Sequence, residues 1–467
     1  MIQKALVWFR RDLRLKDNEA LSACLEDGIQ PVPIWLGTED GSRVGSALKV
    51  GLHYSLTDLK RQLEAFGLTL ILRQGDCLLN ILSLLEECQA RKIYWNRRYA
   101  PEEIKHDTLI MHALKSKGYE VKSCASQLLI EPMYLKNQSA QPYRVFTPFF
   151  KALSEKNIPK PKPNPLTGRV FKSLKLPSLP LSEFKLLPSI PWYRDFFTIT
   201  DFSRADALHK LQILKEHKIL DYGTHRDIPS IDGTSLLSWA LRLGVIGAKE
   251  VWHSLVFEPQ NLVFLKQLAW REFSAHLLFH FPESLHEPLN PRFKIWPYNH
   301  DNLLLKAWQR GKTGVPIVDA GMKQLWQTGY MHNRVRMICA SYLTKNLNLH
   351  WAVGERWFYD TLIDADEANN IMGWQWVSGC GADAAPYFRI FNPVLQSAKF
   401  DPEGAYILKW LPELKGLRGK FLHQPWLQDN IKYHKPLVCL EDSRKQALKI
   451  YKNLQENVWH LPSQNLS

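Results

Sequence analysis

Across residues 1–130, short apolar runs alternate with stretches of helical spacing, and this alternation constrains the fold more than any other feature of the chain. The runs Ala5–Phe9, Val32–Leu36, Thr69–Leu72, Ile93–Trp95 and Glu120–Lys122 read as strands, with helices over 17–26, 47–65, 78–90 and 102–117 between them. Strands joined by helices of this length need crossovers, which are right-handed and place the strands parallel in one sheet. The expected fold class is α/β: an N-terminal doubly wound, five-stranded parallel sheet of the Rossmann-like kind, followed by an all-α domain. Such sheets take ligands beyond the carboxyl ends of their strands. Yet the first strand runs into Phe9-Arg10-Arg11-Asp12 with no GxGxxG, so a dinucleotide gripped by a glycine-rich turn is disfavoured here.

Residues 131–195 change character, with eight prolines between Pro159 and Pro191. Proline at this density forbids long helices and favours extended chain, so the segment reads as a connector wrapped over a surface. From Ala205 onward apolar residues recur at three and four: Ala205–Ile219, Ser235–Arg242, Ala248–Val256, Leu262–Phe279, Asp301–Arg310, Asp319–Gly329, Asn333–Leu347, Gly354–Ile363 and Asp442–Glu456. The expected domains are 1–130, α/β; 131–195, linker; and 196–467, all-helical.

Sixty Lys+Arg against 46 Asp+Glu leave a formal charge of +14, which suits a polyanionic partner without specifying one. The seven cysteines include no CxxC pair and no Cys/His cluster at zinc spacing, so reduced thiols and no metal are expected. No apolar run reaches the ~18–20 residues of a membrane span. The N-terminus turns to charge too soon for a signal-peptide core, and the expected location is the cytoplasm.

Four segments carry the chemistry. Asp232-Gly233-Thr234-Ser235-Leu236-Leu237-Ser238 is either a plain helix cap or a hydroxyl-rich helix start that holds a phosphate. Gln267-Leu268-Ala269-Trp270-Arg271-Glu272-Phe273 places an aromatic beside a charge pair in mid-helix. Met331-His332-Asn333-Arg334-Val335-Arg336-Met337 puts an amide and two arginines within about one turn. The run from Asp364 to Trp376, with Asp383–Pro393 after it, is too polar for a core and too aromatic for a simple loop. It reads as the wall of a site for a flat ligand with a polar edge.

These segments, with WFRRDLRLKDN at Trp8–Asn18 and GKTGVPIVDAGMKQL at Gly311–Leu325, resemble the photolyase/cryptochrome family over essentially the whole chain, and most closely its class I cyclobutane pyrimidine dimer photolyases. The resemblance implies an antenna-binding α/β domain and a helical domain that binds FAD. It implies light-driven splitting of ultraviolet-induced dimers in DNA, a carbon–carbon lyase reaction fed by an electron from reduced flavin, in a bacterial cytosol and in a monomer. By the same resemblance the FAD contacts are Tyr222, Thr234, Ser235, Leu236, Leu237, Ser238, Arg271, Asn333, Arg336, Asp364, Ala365, Asp366 and Asn370. Arg336 is the ion-pair partner of Asp364, and Asn370 faces flavin N5. Trp374, Trp351 and Trp296 match an electron relay leading to the surface. Trp270 and Trp376 match the aromatic walls of the dimer pocket, and Gln267, Asn333, Met337, Arg226, Arg334, Arg389 and Lys399 match further DNA or lesion contacts.

Three positions depart from the class I pattern. Gln267 replaces a glutamate that contacts the dimer, and relatives that repair (6-4) photoproducts carry glutamine there. Those relatives also carry paired histidines where this chain has His332-Asn333-Arg334, so dimer repair is preferred. Leu236 and Met372 replace arginine and glycine. For the antenna, Glu102 is the candidate contact, with 5,10-methenyltetrahydrofolate preferred over 8-hydroxydeazaflavin. The competing reading is a cryptochrome, a blue-light photoreceptor that uses the same flavin and tryptophans.

Overall fold

A computed structural model describes residues 3–37, 41, 43–255, 257–384, 388–429 and 431–456. All five expected strands form: β1 (Lys4–Trp8), β2 (Gln30–Leu36), β3 (Ile71–Arg73), β4 (Lys92–Asn96) and β5 (Glu120–Cys124). They make one parallel sheet in the order β3-β2-β1-β4-β5. Between them run α1 (Glu19–Glu26), α2 (Ser46–Glu64), α3 (Cys77–Glu87) and α4 (Pro101–Ser116). Leu6, Trp8, Val32, Ile34, Ile93 and Trp95 bury the sheet against Ile81, Leu84 and Leu85 of α3 and Ile110 and Leu114 of α4.

A proline in a central strand normally breaks a ladder, yet β2 carries Pro31 and Pro33. Gln30 N–H donates towards β1 and Ile34 O accepts from Phe9, so the intervening prolines face the β3 side. β3 pairs only with Ile34–Leu36, beyond both prolines, and no ladder donor is missed. This accounts for a three-residue edge strand.

The outer edge of β3 is closed by the connector. Leu179 N–H donates to Leu72 O, and Leu72 N–H to Ser178 Oγ. Phe171 N–H donates to Phe66 O. There the chains pass so closely that a Cβ on Gly67, itself at φ 74°, would lie 2.1 Å from Phe171 O. The connector also folds one helix that its proline content hides, α5 (Phe146–Ser154).

The later helices are α6 (Arg204–Ile213), α7 (Tyr222–His225), α8 (Ser238–Leu243), α9 (Ala248–His253), α10 (Pro259–His280), α11 (Asn302–Gln309), α12 (Pro316–Thr328), α13 (Asn333–Ser341), α14 (Trp351–Thr361), α15 (Glu367–Ser378), α16 (Pro393–Phe400), α17 (Ala405–Trp410), α18 (Lys420–His423) and α19 (Leu440–Glu456). Two expectations shift. The helix expected from Ser235 begins at Ser238, because Leu236 sits in the left-handed region at φ 52°. The wall expected over Asp364–Trp376 is a short loop followed by α15.

The chain packs as two compact units, each built from several stretches. The first comprises Met1–Gly223, Thr234–Pro282 and Asp360–Ala368; the second comprises Thr224–Gly233, Glu283–Tyr359 and Asn369–Ser467. The second is pinned by Asp319, fully buried at the start of α12. Its carboxylate accepts from Thr313 N–H and Oγ1 at 2.7 Å each, from Gly314 N–H at 3.0 Å and from the Tyr433 hydroxyl at 2.6 Å. The GKTGVPIVDAG motif is therefore a structural clasp.

Candidate functional site

The switch point of the sheet, where β1 and β4 lie side by side, is filled by protein. Arg10 Nη1 and Arg98 Nη2 meet Asp107 Oδ1 at 2.5 and 2.6 Å, and Asn96 Nδ2 donates to Asp12 Oδ2 at 2.6 Å. Burial opposes ionisation of Asp107, but the two guanidinium groups hold its carboxyl well below the usual carboxylate range. Arg10 and Asp12 of WFRRDLRLKDN thus serve the structure. Glu102 stands on the first turn of α4 with 65% of its side chain exposed and Lys105 4.0 Å away.

In the first unit, the loop before α8 meets the loop before α15. Ser238 Oγ donates to Asp364 Oδ2 at 2.6 Å. Arg242 Nε donates to Ala365 O at 2.6 Å and lies 3.9 Å from Asp366 Oδ2. Lys218 Nζ donates to Thr234 O at 3.0 Å. Holding Leu236 left-handed costs roughly 1–2 kcal/mol, and such strain concentrates where backbone groups must be presented to a ligand. Two hydroxyls, Thr234 and Ser235, a nearby ammonium and acidic Asp364 and Asp366 form a donor and acceptor set that fits the phosphates and sugar hydroxyls of a dinucleotide such as FAD.

Alongside lies an open cleft, about 380 Å³ with the solvent-filled mouth included, lined by Arg11, Tyr99, Gln127, Arg271, Asp366 and Glu367 among others. Arg271 and Asp366, distant in sequence, therefore share one space. Arg271 is tied to Glu272 at 2.9 Å, and Glu272 accepts from Leu129 N–H at 2.7 Å. Burial pushes the Glu272 carboxyl up to about 7 despite Arg271, and that of Glu367 up to about 6. Tyr222 is buried edge-on against Phe264, ring centroids 5.3 Å apart. On α10, Gln267 Nε2 donates within the helix to Val263 O at 3.2 Å. Trp270 is half-buried, with one face stacked on Phe146 at 3.7 Å and 5°.

In the second unit, α13 opens with His332 as its cap. Its Nδ1 accepts from Arg334 N–H at 3.2 Å, which assigns the ring proton to Nε2. Burial lowers the His332 pKa to about 4, a shift aided by Arg336, Arg334 and Arg226 and opposed by Asp227. Arg334 bridges to Asp227 at 2.8 Å, with Arg226 4.0 Å from the same oxygen, and its guanidinium lies 4.2 Å from the centre of the Phe400 ring. Arg336 Nε donates to Met331 O at 2.7 Å. Asn333 is exposed, with Nδ2 3.8 Å from Met337 Sδ. Arg389 and Lys399 are exposed too. Arg389 lies 5.3 Å from the Trp376 ring centre and Lys399 5.2 Å from that of Phe400. Trp376 and Arg389 border an open concavity of about 320 Å³.

Asn370, on α15, has its Nδ2 held by Glu355 O and Oε1 at 3.0 Å each, which leaves its Oδ1 as an acceptor. Trp374 is buried between Phe358 at 4.9 Å and Trp308 at 6.1 Å. Gly354 is obligatory there, since a Cβ would fall 2.2 Å from Trp374 Cη2. Trp351 is 1% exposed and Trp296 6%. Trp296 packs against Phe293, Phe388 and Tyr298.

Sequence reasoning missed Glu355, Asp227, Arg242 and Phe146, all of which fix a site residue. No motif or spacing in the sequence marks any of the four.

Residues 5–166 match the family model of DNA photolyase, and residues 264–453 match the FAD binding domain of DNA photolyase. The chain is 42% identical to the deoxyribodipyrimidine photo-lyase of Agrobacterium fabrum, over 96% of its length and 97% of the relative's. It is 34% identical to the Escherichia coli enzyme of that name, covering 96% and 98%, and 33% identical to Arabidopsis thaliana Cryptochrome-2, covering 98% and 80%. The crystal structure of a class III photolyase from Agrobacterium tumefaciens superposes with TM-score 0.93 at 41% identity, covering 98% of both chains. A Synechocystis cryptochrome gives 0.87 at 29%, covering 96% and 99%. The chain belongs to the photolyase/cryptochrome family.

Proposed function

We propose that this protein repairs cyclobutane pyrimidine dimers in DNA under light, as a deoxyribodipyrimidine photo-lyase. Bound FAD, in its reduced state, supplies light absorption and the electron that is lent to the dimer. The electron would be returned once the two cyclobutane carbon–carbon bonds had opened to give two pyrimidines, so repair would carry no net redox change. The chain's own residues bind, orient and exclude water. Thr234, Ser235, Asp364, Asp366 and Arg271 hold the cofactor's polar parts. Asn370, an amide fixed through Glu355, offers an acceptor with no ionisable proton.

One observation supports the reading above the rest. Trp270 and Trp376 are both half-buried, and a second group backs each ring: Phe146 lies flat against Trp270, and Arg389 lies over Trp376. A rigid aromatic with an open face is what a dimer extruded from the stack requires, and the dimer's poor pairing lowers the cost of extrusion. Arg226, Arg334, Arg389 and Lys399 serve the phosphates.

Repair of (6-4) photoproducts needs a histidine acid, and His332 is employed as a helix cap with its pKa lowered to about 4. Gln267 binds the dimer by donating and accepting hydrogen bonds. Oxidised flavin is served by the relay Trp374, Trp351 and Trp296. An antenna of the methenyltetrahydrofolate kind would meet Glu102 only at the surface, and the absorption spectrum of gently purified protein tests for one.

The match to Cryptochrome-2 supports a second reading, a photoreceptor without repair. Oligonucleotides carrying a single defined lesion separate the two. Light-dependent splitting of the cyclobutane dimer is expected, with none of the (6-4) product; a flavin-loaded protein that splits neither overturns the repair reading.

A further inference from the structure

Trp296 and Trp351 differ in one respect that governs where an oxidised tryptophan is most stable. The Trp296 indole Nε1–H donates to Asn348 Oδ1 at 2.8 Å. The Trp351 indole N–H is buried and meets no acceptor among the described residues. Removing an electron from an indole makes its N–H strongly acidic. A bond from that N–H to a carbonyl oxygen then becomes charge-assisted, and roughly twice as strong as before.

Asn348 is held for this contact. It lies in the left-handed region at φ 53°, which asparagine tolerates better than most residues. Its Nδ2 donates to Pro297 O at 2.7 Å, and its own carbonyl accepts from Asn299 N–H at 2.7 Å. The side-chain amide is thus gripped on its donor side and can present only its oxygen to Trp296. The surroundings do not oppose a positive charge on that ring. Phe293 stacks on it with centroids 5.5 Å apart at 8°, and Phe388 lies 5.4 Å away. Lys345 Nζ sits 5.8 Å from the ring and 3.4 Å from the Phe388 ring centre, donating to Ser378 O. Burial pushes its pKa well down, which favours the uncharged amine.

We propose that Asn348 is a positioning residue for the tryptophan relay: its carbonyl oxygen makes Trp296 the place where the missing electron comes to rest. The inference rests on the relay assigned above. When the photoexcited oxidised flavin takes one electron from the relay, the deficit passes outward. An electron leaves Trp296 to restore Trp351 as neutral indole, and Trp296 becomes the radical cation. The Asn348 amide is too weak a base to remove the N–H proton, so the charge stays until an electron returns, either from the flavin or from an added thiol, which is oxidised in its place.

Two variants and a control test this. Asn348→Gly keeps the left-handed backbone and removes the acceptor; Asn348→Asp keeps an acceptor oxygen and removes the grip on Pro297. In the protein without flavin, nitrogen-15 indole spectra should show the Trp296 side-chain proton downfield and slow to exchange. That signature should be lost in Asn348→Gly and kept in Asn348→Asp. After a flash on the oxidised, flavin-loaded protein, the lifetime of the tryptophan radical should fall about five- to tenfold in Asn348→Gly and not in Asn348→Asp. An unchanged lifetime in Asn348→Gly, or equal losses in both variants, overturns the role of Asn348. Unimpaired photoreduction in Trp296→Phe overturns the relay assignment itself and the inference with it.

Discussion

Side chains that share a chemical type do unlike jobs here, and their surroundings say which. Arg334 is wedged between Asp227 and the Phe400 ring, whereas Arg389 is exposed beside Trp376. Arg334→Ala should lower the melting temperature as well as DNA affinity, because it removes the nearer of the two cations beside Asp227 and uncovers an aromatic. Arg389→Ala should lower the melting temperature less than Arg334→Ala and still weaken DNA binding; thermal unfolding and filter binding on the two variants check this. Trp270 belongs with Arg389. Stacking a base on an aromatic is worth roughly 1–3 kcal/mol. Trp270→Ala should therefore weaken binding of dimer-containing oligonucleotide about 5- to 150-fold, with undamaged DNA nearly unaffected, in a competition assay. None of these pairings was legible in the sequence. Ser238 and its partner Asp364 lie 126 positions apart, and Asn370 and Glu355 lie 15 apart on separate helices, so no spacing rule reaches them.

At the level of helices and strands, legibility followed the strength of local chemistry. The five strands were readable because apolar β-formers recur between helices of crossover length. The start of α8 was not, since leucine at position 236 carries no turn signal and its φ of 52° is imposed by its neighbours. α15 was missed because it opens on acids and amides, ends in tryptophans, and is buried on more than one face, which erases amphipathic spacing. Two element ends invite measurement. Asp319 accepts four hydrogen bonds at the start of α12, and Asp319→Ala should cost about 3–5 kcal/mol in urea unfolding by stranding those donors. His332 caps α13 with a folded pKa of about 4, below the unfolded value of 6.5. Its contribution is fully present above pH 6.5 and is lost as the pH falls towards 4. His332→Asn, which keeps a capping oxygen, should show a smaller drop in urea midpoint between pH 7 and pH 5.

For the molecule as a whole, the excess of 14 positive charges becomes informative only through the few proposed to meet DNA. If Arg226, Arg334, Arg389 and Lys399 each neutralise one phosphate, the logarithm of the affinity should fall with the logarithm of salt at a slope of roughly −3 to −4. A slope near −10 would mean that the charge is used diffusely, and titration across monovalent salt concentrations decides it.

The connector clasped along β3 has a consequence in time. Strand Ile71–Arg73 leaves the ribosome about a hundred residues before Phe171–Leu179 exists to cover it, a delay of roughly 5–20 s at ordinary synthesis rates. Throughout that interval the nascent sheet carries an open, parallel-ready edge. The growing polypeptide is therefore most prone to pair with a stranger while its own fastening is still being translated.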